Sequence, residues 1–154
     1  MLSLISRLAS DENGVTAIEY ALIASLISIA AVTLMGQSAH HIGWRELVPM
    51  LISAATNFYN TTPVASMLIL GGPFSRKAYL AQEVSLTNIG REVRTLFANL
   101  DQPLRLPETP DASTLGVEIA FACLKHGYYR ENHISPATEA EATRAVIGYL
   151  GNWE

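Results

Sequence analysis

Asn13-Gly14-Val15-Thr16-Ala17-Ile18-Glu19-Tyr20-Ala21-Leu22-Ile23-Ala24 opens an apolar run that decides how the rest of the chain is read. From Val15 to Met35 there are 21 residues with one charge, Glu19, and neither Gly nor Pro. As a helix this run is about 31 Å long, enough to cross a hydrocarbon core of about 30 Å. Glu19 lies one turn into it. A carboxylate there is costly, on the order of 2.5–3.5 kcal/mol at mid-membrane and less near an interface, so it calls for a partner.

The leader before the run carries Arg7 against Asp11 and Glu12. An ordinary secretory signal has a basic start, an apolar stretch of about 7–15 residues and a small-x-small cut site after it. This chain has acids ahead of the run, another inside it, and a run too long for that pattern. Two readings stand: an uncleaved membrane anchor, or a precursor cut before the helix so that the helix is kept. On the helix, Ala17, Ala21, Ala24, Ser28 and Ala31 recur at spacings of 4, 3, 4 and 3 and line small side chains along one stripe. Such a stripe lets helices approach closely where lipid supplies no hydrophobic drive for association. Composition alone also produces stripes of this kind. Tyr20 has an equally plain reading as an interfacial aromatic.

A Gly, four residues and then Glu-Tyr, behind a short polar leader, resembles the processing site of Flp/Fap-type (type IVb) pilins. The similarity covers about Met1 to Gln37. By that resemblance Gly14 is the last leader residue, Val15 the first mature residue, and Glu19 and Tyr20 the fifth and sixth. It implies a prepilin peptidase that cuts after Gly14 and N-methylates Val15. It also implies a filament core in which Glu19 sets the stagger between subunits. A fresh α-amine on Val15 is largely cationic at neutral pH, with an ordinary pKa near about 7.7–8.0. It could meet Glu19 four positions on, about 6 Å along the axis, or the Glu19 of a sibling; the resemblance implies the sibling. Implied partners are other pilin subunits, the peptidase, Tad-type assembly machinery and the bacterial inner membrane before assembly. The implied destination is an extracellular pilus or fimbrium, or a periplasmic pseudopilus. Pilins of this type are usually little more than leader and helix, whereas this chain adds over a hundred residues. That points to a minor or specialised subunit with a displayed domain, serving adhesion or secretion. The alternative is an uncleaved single-pass anchor whose helical domain binds a protein partner.

The bounds agree with an anchor plus a small domain. Of 154 residues 49% are hydrophobic and 16% charged, and the net charge is −4 with no basic block, which leaves nucleic-acid binding without an electrostatic footprint. A single cysteine, Cys123, rules out an internal disulfide or a C-x-x-C site, and its run Ile119–Leu124 predicts burial. The division expected is leader 1–14, hydrophobic helix 15–36, connector 37–43 and helical domain 44–154. The fold class expected is therefore mostly α: a long N-terminal transmembrane or filament-core helix, then a small, mainly helical domain.

Within that domain, Leu47, Leu51, Ala54, Ala55 and Phe58 predict a helix over Trp44–Tyr59, broken at Asn60–Pro63. Val64–Leu70 is a buried strand or a helical turn, and Gly71-Gly72-Pro73 is a turn. Phe74–Leu100 reads as a long helix with Tyr79, Leu80, Val84, Leu86, Ile89, Val93, Leu96 and Phe97 on its apolar side and a break at Gly90. Asp101–Ser113, with Pro103, Pro107 and Pro110, is a loop. Thr114–His126 is a helix stopped by Gly127, and Tyr128–His133 is a polar, aromatic connector. Ser135-Pro136 cap a last helix that ends at Gly151. His40-His41 and the pair Cys123/His126 are weak leads to a metal or a nucleophile. No G-x-S-x-G, H-E-x-x-H or P-loop pattern occurs. The expectation is a non-enzyme without metal or cofactor.

Overall fold

The computed structural model describes residues 42–71 and 76–154. Five helices carry this part: α1 (Trp44–Thr61), a short α2 (Pro63–Ala65) running into a π-helical segment (Ser66–Leu70), α3 (Arg76–Ala98), α4 (Ala112–Glu131) and α5 (Pro136–Leu150). A 3-10 turn, Gly151–Trp153, follows α5. Among the described residues there is no strand, and no helix is long and apolar enough to cross a membrane. The run Val15–Met35 lies outside them.

The helices pack in the order α1, α5, α4, α3, each against the next, with the π segment also on α4. The core takes Leu47, Val48, Ile52 and Tyr59 from α1, Phe97 from α3, Leu124 from α4 and Val146 and Leu150 from α5. Its stripe on α1 is turned by about a residue from the expected one. Leu47 and Ala54 are buried as expected, but Trp44, Val48, Ile52 and Tyr59 point in beside them, while Leu51, Ala55 and Phe58 flank them. Tyr59 meets Phe121 of α4 edge-on, ring centroids 6.4 Å apart, and so joins α1 to a helix beyond its immediate neighbour.

Several boundaries differ from the sequence expectation. Val64–Leu70 takes the helical one of its two open readings, and the buried Ser66 hydroxyl donates to the Tyr59 carbonyl across the turn. α3 runs unbroken through Gly90, because glycine lets another backbone in. A Cβ there would stand 2.7 Å from the Cα of Thr114 and 2.9 Å from its nitrogen. α4 likewise continues past Gly127, which lies against Thr138 of α5, and absorbs Tyr128–Glu131. It stops at Asn132, whose φ of 56° is left-handed, and whose N–H closes on the Tyr128 carbonyl. The apolar side expected for α3 is only partly used. Ile89 and Phe97 are buried, but Leu80 is 50% and Val84 62% exposed. Ser135 caps α5 through Thr138 N–H with Pro136 in the first turn, as expected.

Candidate functional site

The residues expected to carry processing and assembly lie outside the described part of the chain. These are Gly14, Val15, Glu19 and Tyr20, and the stripe Ala17, Ala21, Ala24, Ser28 and Ala31. His40 and His41 lie outside it too. What the structure does place is the root at which that N-terminal segment joins the helices.

The root is built from both ends of the domain. Ile42 and Trp44 are buried in the common core. Gly43 precedes α1 in extended conformation and contributes no side-chain cap; its carbonyl accepts from Leu47 N–H at 3.2 Å. Arg45 stacks over the Trp44 ring, 4.5 Å from guanidinium carbon to ring centroid. Its Nε and Nη2 donate to the two carboxylate oxygens of Glu154 at 3.3 and 2.6 Å. The hydrogen bond from Arg45 holds the Glu154 carboxyl below its ordinary value, with a smaller pull from the Trp44 side chain. The two partners are 109 positions apart, so no local pattern in the sequence announces the pair.

A second polar centre fastens α3 to α4. The Asp111 carboxylate accepts from Thr114 N–H at 3.2 Å, Thr114 Oγ1 at 2.7 Å and Ser113 Oγ at 2.9 Å, and so caps α4. Arg94 of α3 pairs with the same carboxylate and donates to the Pro107 carbonyl at 3.1 Å. Burial pushes the Asp111 pKa up, but the hydrogen bonds from Thr114 and Ser113 and the charge of Arg94 outweigh it, and the net shift is down. Asp111 is an N-cap residue type ahead of an apolar helix, a signal that starting the helix at Thr114 passes over.

At the far end of α1, Asn60 forms a clasp. Its Nδ2 donates to the Ile134 carbonyl at 2.9 Å, and its Oδ1 accepts from Ile134 N–H at 2.8 Å. This ties the end of α1 to the link between α4 and α5. Cys123 is half-buried rather than buried. Desolvation, and then the charge of Glu141, push its thiol pKa up, which favours the poorly nucleophilic thiol form. His126, one turn on, is exposed. Among the described residues no group of three His, Cys, Asp or Glu side chains is placed to hold a metal ion. The polar centres that are placed act on helix ends and joints: they hold elements together and orient the root.

No curated protein and no solved structure matches this chain. Its N-terminal region does match a known family: the model of the Flp/Fap pilin component covers residues 8–43, the stretch that holds Gly14, Glu19 and Tyr20 and ends one residue before α1.

Proposed function

We propose that this chain is a structural subunit, minor or specialised, of a type IVb/Tad-type pilus or pseudopilus. A prepilin peptidase cuts after Gly14 and methylates the new amine of Val15. The helix from Val15 then leaves the inner membrane for the filament core, where Glu19 meets the amine of a sibling. In low dielectric that pairing offsets much of the cost of burying either charge and fixes how far one helix slides along the next. The domain from Trp44 onward rides outside as a displayed head for adhesion or secretion, with no catalysis of its own. The observation that carries this reading is the family match over residues 8–43, the stretch that contains Gly14, Glu19 and Tyr20. The start of α1 at Trp44, directly after the matched stretch, supports a head added to a complete assembly segment.

The test is the mature N-terminus. Material from the host is expected to begin at a methylated Val15, its mass reduced by Met1–Gly14. Glu19→Ala is expected to be clipped normally and to be missing from filaments. A full-length mass would favour the uncleaved anchor instead, and normal filaments from Glu19→Ala would remove the assembly role.

A further inference from the structure

We infer that the turn Gly151–Trp153 and the Glu154 carboxylate form a strap that holds the root of α1, residues 42–47, against the end of α5. The first turn of α1 has the Leu47 N–H bond to the Gly43 carbonyl and the acid Glu46, but two of its usual supports are missing. Gly43 offers no capping side chain. Pro49 has no N–H, so the Arg45 carbonyl lacks its usual partner four residues on. The strap fills neither gap; it adds a tether to this turn from outside the helix, through the Arg45 side chain. Both Glu154 oxygens accept from Arg45, and Arg45 is pressed onto Trp44, which is itself buried. Gly151 places the turn directly over the guanidinium, with Arg45 Nη2 3.4 Å from where its Cβ would be.

Both side chains of the ion pair are about half exposed, at 47% and 54%, so breaking it loosens a joint without emptying the core. The strap is therefore a local device whose release leaves the rest of the bundle closed. This inference concerns the joint alone and stands whether or not the chain is a pilin.

The experiment is hydrogen exchange on the full-length chain in detergent micelles, comparing wild type, Glu154→Gln, Arg45→Gln and the double variant. Each single change is expected to speed exchange in peptides spanning residues 42–53 by about threefold or more, while peptides from α4 keep their wild-type rates. The double variant is expected to match the faster single one, because both changes open the same contact. Unchanged exchange at the root, a uniform rise through all helices, or additive effects in the double variant would each overturn the inference.

Discussion

Asp111 shows how much one side chain can organise. It caps α4, orders Ser113 and receives Arg94 from α3. Its folded-state pKa is below the unfolded one, so its stabilising effect is complete above the ordinary aspartate value of about 3.9 and is lost as pH falls through the lower folded value. Asp111→Ala is expected to cost about 1–2 kcal/mol near neutral pH, in the range of lost N-caps. Denaturant titrations should show the gap between variant and wild type closing in acid. A gap that stays constant with pH would mean the charge is irrelevant to the cap. The cap at Ser135 was legible because Ser-Pro opens a clean apolar pattern. The one at Asp111 was hidden behind the prolines before it, which made the whole stretch read as loop.

At the scale of the helices, the sequence misleads where a glycine reads as punctuation. Gly90 and Gly127 carry the pattern of a break and a stop, but each is a contact point for a neighbouring helix, and a single sequence does not show what lies across. Gly90→Ala should therefore destabilise by about 1–3 kcal/mol through overpacking, despite the better helix propensity of alanine. Gly148 on α5, where an added Cβ meets nothing within 4 Å, is the control. Gly148→Ala should stabilise by about 0.5–1 kcal/mol. Thermal or denaturant unfolding of the two variants should move in opposite directions; equal shifts would refute the close-approach argument. Val64–Leu70 was ambiguous for a different reason, since a short apolar run has no period long enough to separate strand from helix.

For the molecule as a whole, the four main helices and their order were legible from periodicity, but the core that unites them was not. Phe97 is 1% exposed, and Leu104 and Leu106, from the proline-rich loop, are buried in the same cluster. The prolines mark that stretch as a loop, and its leucines complete the packing beside α3, with Leu104 N–H bound to the Phe97 carbonyl at 3.2 Å. Phe97→Ala is expected to cost about 3–5 kcal/mol and to lower one shared transition, read by far-UV and near-UV circular dichroism together. Separate transitions would mean that α3 and its loop fold apart from the rest. The stretch that matches the Flp/Fap family model was the most legible part of the chain, since its signal is a local pattern around Gly14. The head offered no comparable motif, because its polar centres join residues far apart in sequence. One of those joints has a bearing on the choice of expression host. Asn60-Thr61-Thr62 is an acceptor triplet for N-linked glycans. The Asn60 amide is engaged with Ile134 once the bundle has closed. A eukaryotic secretory pathway could decorate it only on nascent chains, leaving a sugar where two helices must be tied together.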